Sequence, residues 1–185
     1  MRTLILNGSP RKNGDTAQLI AALVKKLEGE TKEFSSYRDR ISPCIDCRHC
    51  WQKPECKIDD DMQEVYKCIE TYDTIVIASP LHFNSLSGSL LGLLSRLQMY
   101  YAANHILKAP IPIKEKKAVL ILTGGQGFGE QEAQEQAKRF FRLIRGKDME
   151  VVGSLQTDKL PARIDQVALE RIASLAGQLN KARKV

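Results

Sequence analysis

No apolar run in this 185-residue chain approaches the roughly 20 residues that a membrane-spanning helix needs, so no helical span is expected. There are no internal repeats and no low-complexity stretches, which argues against a solenoid or a disordered tail. Charge is not lopsided either. Lys and Arg number 28 against 22 Asp and Glu, and the net charge of +6 is scattered. Part of it sits in Lys181-Ala182-Arg183-Lys184, read as a frayed helix end. With no nucleic-acid motif beside it, that excess does not point to DNA or RNA, and it suits a small anionic ligand equally well. The chain opens directly on a strand-like run, so no secretory leader is expected. Its five cysteines are not spaced as a secreted disulfide framework, and a cytoplasmic location is expected. The length suggests one domain over 1–185, with a cysteine-rich loop at about 41–59.

What is present is a regular alternation. Strand-like runs fall at Arg2–Asn7, Thr31–Tyr37, Thr74–Ser79, Ala118–Thr123 and Glu150–Leu155. The third and fourth are continuously apolar, as suits central parallel strands buried on both faces. Helical patterns fill the gaps at Asp15–Glu28, Asp60–Thr71, Ser87–Met99, Gln131–Arg145 and Arg163–Ala182. Strict β/α alternation predicts an α/β fold, a doubly wound parallel sheet with right-handed crossovers. Five strands suggest the flavodoxin-like order 2-1-3-4-5, with a ligand at the carboxyl ends of the first, third and fourth.

Three loops should meet there. After the first strand, Asn7-Gly8-Ser9-Pro10-Arg11-Lys12-Asn13-Gly14-Asp15-Thr16 leads straight into a helix. Free backbone N–H groups, the positive end of a helix dipole, hydroxyls at Ser9 and Thr16, and charge at Arg11 and Lys12 make a phosphate site. The alternative is an ordinary strand–turn–helix corner capped by Asp15 or Thr16. The second loop, Pro80-Leu81-His82-Phe83-Asn84-Ser85, offers an aromatic, a His and an Asn. The third, Thr123-Gly124-Gly125-Gln126, is glycine-rich, so its backbone can lie close to a flat ring. A phosphate site beside two ring-facing loops suits a mononucleotide with a planar heterocycle, and FMN meets all three requirements.

On these motifs the chain resembles the NADPH-dependent FMN reductase and multimeric flavodoxin families. Gly8–Thr16 is similar to their FMN-phosphate loop, and Ser79–Gly88 to their second flavin loop, usually S-P-V-Y-F-x-S-x-S-G. Pro43–Met62, ending Asp59-Asp60-Asp61-Met62, resembles the cysteine segment of the iron–sulfur flavoprotein branch. The resemblance spans about residues 1–130. It implies bound FMN with NAD(P)H as co-substrate, and a homodimer or homotetramer. Two positions depart from the family pattern. Asp15 stands where Asn is common, and His82 where Tyr is usual.

Cys44, Cys47, Cys50 and Cys56 give C-x2-C-x2-C-x5-C. Closely spaced thiolates with a fourth returning after a turn suit a 4Fe-4S cubane. Tetrahedral zinc, which favours two separated pairs, is the second choice of metal. The spacing does not by itself require a metal, and four free thiols are the alternative to either. Cys68, on a helical pattern, reads as a core thiol.

The expected chemistry is electron transfer from NAD(P)H through FMN to a quinone, a free flavin or a similar small-molecule acceptor. Ser9, Arg11, Asn13 and Thr16 would hold the phosphate, Pro80 to Ser85 the ring, and Gly124 to Gln126 its pyrimidine edge. No side-chain acid or base is expected at the hydride step, which leaves His82 and His105 as the candidate proton donors. The alternative is an electron carrier that couples FMN to a cluster and takes electrons from a ferredoxin-like donor. A third class is a thiol redox sensor or binding module. Leu90, Leu91, Leu93, Leu94 and Leu97 exceed one sheet-facing stripe, which suggests either a deeply buried helix or a subunit interface beside the flavin.

Overall fold

The computed structural model describes residues 1–182, so residues 183–185 of the expected frayed tail lie outside the described residues. Strands and helices alternate as β1 (Arg2–Asn7), α1 (Asp15–Val24), β2 (Glu30–Ser35), α2 (Met62–Thr71), β3 (Thr74–His82), β4 (Ser85–Leu86), α3 (Gly88–Ser95), α4 (Gln98–His105), β5 (Lys116–Thr123), α5 (Glu130–Leu143), β6 (Gly146–Ser154) and α6 (Gln166–Ala182). Strands β2-β1-β3-β5-β6 form a parallel sheet in that order. This is the expected flavodoxin-like order with one strand added. The short β4 folds back antiparallel on the end of β3.

Two apolar cores flank the sheet, as a doubly wound fold requires. On one face Leu19, Ile20 and Leu23 of α1 and Ile172, Leu175 and Leu179 of α6 cover Ile5, Val76 and Ile121. On the other, helices α2 to α5 cover Leu4, Leu6, Ile75, Ile77 and Leu120. The sheet residues alternate between the two cores, which is why the central runs are apolar at every position.

The differences from the sequence reading have physical causes. β3 runs three residues past Ser79 and turns at Phe83-Asn84, both with positive φ (51° and 60°). Two consecutive left-handed residues match the right-handed twist of a tight hairpin, but that turn usually carries Asn-Gly, so the sequence hides it. The helix expected over Ser87–Met99 is two helices. The chain bends at Arg96-Leu97, where Arg96 turns inward and is 1% exposed. Leu90, Leu93, Leu94 and Leu97 are in the core and Leu91 is half-buried against it, so this segment is apolar on several sides because it is buried on several sides. Those leucines do not speak for a subunit interface. Cys68 is buried, as expected, and burial pushes its thiol pKa up.

At the amino ends of the strands lies a cavity of about 520 Å³ lined by Asp73, Glu115, Lys116, Lys117 and Lys147. Burial, with Lys114 and Arg145 nearby, lowers the Lys116 ammonium to about 8, although its Nζ donates to the carbonyls of Lys114 (2.5 Å) and Ile144 (3.3 Å). A lysine lowered by folding penalises the folded state below its folded pKa. The penalty is relieved as pH rises from about 8 towards the unfolded value near 10.4. Water at the cavity mouth discounts the full linkage value, leaving a gain of about 1–2 kcal/mol across that window. The buried phenols of Tyr66 and Tyr100, pushed upward by burial, act oppositely above about pH 10. Urea melts between pH 7.5 and 9.5 are therefore expected to show stability changing more favourably with pH in the wild type than in Lys116→Met, where the raised Cys68 thiol is left to act in the opposite sense. Parallel profiles would refute the assignment.

Candidate functional site

The parallel register sets Asn7, Ala78, Ile121 and Val152 side by side, so the carboxyl ends of the strands share one edge of the sheet. The loops that follow enclose a cleft of about 270 Å³. Ser9, Arg11, Asp15, Thr16, Pro80, Leu81, His82, Thr123, Gly124 and Gly125 line it, so ten of the fifteen residues expected at a cofactor converge there. Asn13, Phe83, Asn84, Ser85 and Gln126 do not line it. Asn13 is exposed and its carbonyl accepts from Gln18. Phe83 is fully exposed at the hairpin tip. The Ser85 hydroxyl donates to Gln136 of α5, which also accepts the Leu86 N–H, so that contact anchors the hairpin.

The first loop is held from several directions. Asn7 accepts the Ser9 N–H at 2.8 Å and donates to Glu33 on β2. Arg38 donates to the Ser9 carbonyl, and the Ser87 hydroxyl to the Gly8 carbonyl. A Cβ at Gly8 would overlap Ser87 and Leu90, so glycine is required for the loop to sit against α3. The buried Ser9 hydroxyl bonds the Arg11 backbone and closes the turn. The first N–H groups of α1 have no intrahelical acceptor, so the helix presents donors at this loop.

Thr16 and Thr123, both buried, share a hydrogen bond of 2.7 Å that ties the first loop to the third. One hydroxyl donates within this pair, and the other keeps its own hydrogen for a further acceptor. Asp15 is turned aside. Its carboxylate accepts the Ala162 N–H at 2.9 Å, 147 residues away, and caps the 3-10 turn Ala162–Ile164. Its side chain makes no cap to α1 itself, whose N-cap is Gly14.

The loop after β6 was missed. Thr157 donates through its N–H and its hydroxyl to the Gly124 carbonyl, and the Asp158 carboxylate lies where a Gly125 side chain would be. Polar residues after an outer strand carry no ring-binding signature, and only their position past the carboxyl end of a strand could have flagged them. Of the two candidate proton donors, His82 lines the cleft. His105 stacks near Tyr101 on α4 and does not line it.

The four loop cysteines form a second locus. Cys44, Cys47, Cys50 and Cys56 line one concavity with Arg48, Arg96 and Lys57. Cys44 and Cys47 are exposed, and Cys50 and Cys56 half-buried. Asp46 and Arg48 take positive φ (48° and 56°), which curls the loop between the thiols. Burial, then the neighbouring thiols led by Cys44, pushes the Cys50 thiol up. Among the described residues no group of three His, Cys, Asp or Glu side chains is gathered closely enough to hold a metal ion. The thiols thus share a concavity without forming a closed ligand set. Their chemistry still fits an anionic metal–sulfur group, because the concavity also holds Arg96, whose buried Nε–H has no acceptor. His49 is paired with Glu55 at 3.1 Å, and Trp51 lies under the Arg48 guanidinium.

Residues 1–157 match the family model for NADPH-dependent FMN reductase. The chain belongs to that family. It is an FMN-containing oxidoreductase that uses NAD(P)H. An iron–sulfur flavoprotein of Methanocaldococcus jannaschii is 31% identical over 156 residues, covering 83% of this chain and 76% of the relative. One from Methanosarcina thermophila is 27% identical and covers 97% and 93% respectively. Among solved structures, the NAD(P)H:quinone oxidoreductase from Methanothermobacter marburgensis superposes with a TM-score of 0.70 at 19% identity, covering 97% of this chain and 96% of that one. At that identity the superposition speaks for the flavodoxin-like fold alone. Among the described residues no helix is long and apolar enough to cross a membrane.

Proposed function

We propose that the cleft at the carboxyl ends of β1, β3 and β5 is the FMN site, and that the enzyme passes electrons from NAD(P)H to a quinone, a free flavin or a similar small acceptor. The carrying observation is the convergence of a donor-rich strand–helix loop with two loops of the expected type on one cleft. Ser9, Arg11 and Thr16, with the N–H groups opening α1, would hold the phosphate. Pro80 to His82 and Thr123 to Gly125 would border the ring. Asp15 supports the site by fixing the start of α1 to the 3-10 turn, and leaves the phosphate region to Arg11. Bound FMN supplies the hydride and electron chemistry. The protein positions it and shapes the field around it. A homodimer or homotetramer belongs to the same reading, supported by Phe83 and Phe128, both exposed on the segments that follow β3 and β5.

A second reading adds a 4Fe-4S cluster on Cys44, Cys47, Cys50 and Cys56, making the protein an electron carrier between a ferredoxin-like donor and FMN. The observation favouring it is the concavity the four thiols share with Arg96, whose buried Nε–H has no acceptor. The names of the two relatives support it.

Anaerobic purification followed by an absorbance spectrum, FMN and iron analysis and an NADPH oxidation assay tests both. FMN near one per chain with steady quinone-dependent NADPH oxidation is expected. A broad band near roughly 400 nm, bleached by reductant, would add the cluster. Colourless protein that added FMN cannot reconstitute would sink the first reading.

A further inference from the structure

The bend between α3 and α4 places one fully buried guanidinium at both stems of the cysteine loop. Arg96 Nη1 donates to the Ser42 carbonyl at 2.9 Å, just before Cys44, and Nη2 to the Ile58 carbonyl at 3.4 Å, just after Cys56. The same two nitrogens grip Asp60 at 2.7 and 3.2 Å. Asp60 in turn accepts the N–H groups of Ser42 at 2.9 Å and Met62 at 3.1 Å. The Arg96 carbonyl accepts the Tyr66 hydroxyl at 2.9 Å, which fixes the bend against α2. One ion pair thus closes the base of the loop, and its remaining donor, Nε–H, is buried and unpaired in a side chain that lines the thiol concavity.

A carboxylate partner alone does not account for that arrangement. Arg96 is 1% exposed and Asp60 6%, and a buried ion pair gains little stability over apolar packing. An unpaired buried N–H makes it less favourable still. The arrangement gains a purpose if the concavity receives negative charge. A 4Fe-4S core held by four thiolates carries net negative charge, and hydrogen bonds and positive charge near its sulfurs favour the reduced state.

We propose that Arg96 is the positioning residue of the cysteine centre. It closes both stems of the ligand loop through Asp60, and it supplies a buried positive donor to the metal–sulfur group. This rests on the cluster reading above, and the experiment separates the two.

Two variants are compared with the wild type after anaerobic reconstitution with iron and sulfide. Arg96→Lys keeps the charge and loses the fork. The double variant Asp60→Asn/Arg96→Gln removes both charges together, so neither is left buried alone. FMN binding, on the other locus, reports an intact fold in each. The wild type is expected to take up about four iron per chain. The double variant should lose iron to a chelator several-fold faster, and its cluster potential should move negative, because Arg96 lines the concavity and Asp60 does not. Arg96→Lys should also lose iron faster but stay near the wild-type potential. Equal iron retention and potential in the wild type and the double variant would overturn the proposal. If the wild type takes up no iron, the cluster reading fails, and limited proteolysis then reads the clamp by itself. Several-fold faster cleavage within residues 44–57 of the double variant supports Arg96 as the loop's anchor, and equal cleavage removes that role too.

Discussion

Arg96→Met should lower the stability of the folded protein by about 3–5 kcal/mol, because it strips the partner from a carboxylate that stays buried. For a domain of this size that corresponds to a fall in Tm of roughly 6–20 °C. In the wild type, burial alone would raise the Asp60 carboxyl. The Arg96 guanidinium and the Ser42 and Met62 N–H groups outweigh it and hold Asp60 below the usual carboxylate range. A depressed carboxylate contributes stability that is present above its unfolded pKa, near 3.9, and lost as pH falls through the lower folded value.

In Arg96→Met the sign reverses. Burial without a cation raises the folded pKa above the unfolded one. The penalty then shrinks as pH falls towards about 4, where the carboxyl is protonated. The gap in Tm between wild type and variant should therefore be large at pH 7 and narrow at pH 4. Adding Asp60→Asn to the variant should recover part of the loss at pH 7. A gap that does not change with pH would mean that Asp60 is not the charge left unpaired, and that the loss is one of packing alone.

This clamp shows where the sequence is silent. Arg96 sits in a leucine-rich helical pattern, where a single charged residue reads as the solvent face. Its partner lies 36 residues earlier in an acidic run that reads as a helix start. Nothing local couples them. By contrast, β3 and β5 were legible because burial on both faces demands apolar residues at every position, a demand written directly in Thr74–Ser79 and Ala118–Thr123. The cleft was legible for a related reason. Once the strand order is known, the loops at the carboxyl ends must meet, and ten of the expected residues do.

Residues whose roles depend on distant chain were not legible. Asp15 caps a turn near residue 162, Thr157 closes on Gly124, and Asp158 lies over Gly125. The hairpin at Phe83-Asn84 was hidden for a different reason. Its left-handed turn is built without glycine, and tertiary contacts from Gln136 hold it in place of local preference.

Within the cleft, Arg11→Gln carries the largest expected effect on ligand binding. Arg11 is exposed, and its backbone, not its guanidinium, makes the bonds that close the loop with Ser9. The substitution therefore leaves the turn intact and removes only an exposed positive charge. A charge-assisted hydrogen bond to phosphate is worth about 1.5–3 kcal/mol, so FMN should bind about 10–100-fold more weakly. Riboflavin has the same ring and no phosphate, and its affinity should not change. The Tm of the FMN-free protein should also hold. Because Arg11 faces solvent, the difference between wild type and variant should shrink as salt is added. Titrating both ligands into both proteins at two ionic strengths separates the possibilities. A parallel loss for FMN and riboflavin would mean that the loop had deformed. No loss for either would mean that the phosphate, if it binds here, is held by the N–H groups at the start of α1 without help from Arg11.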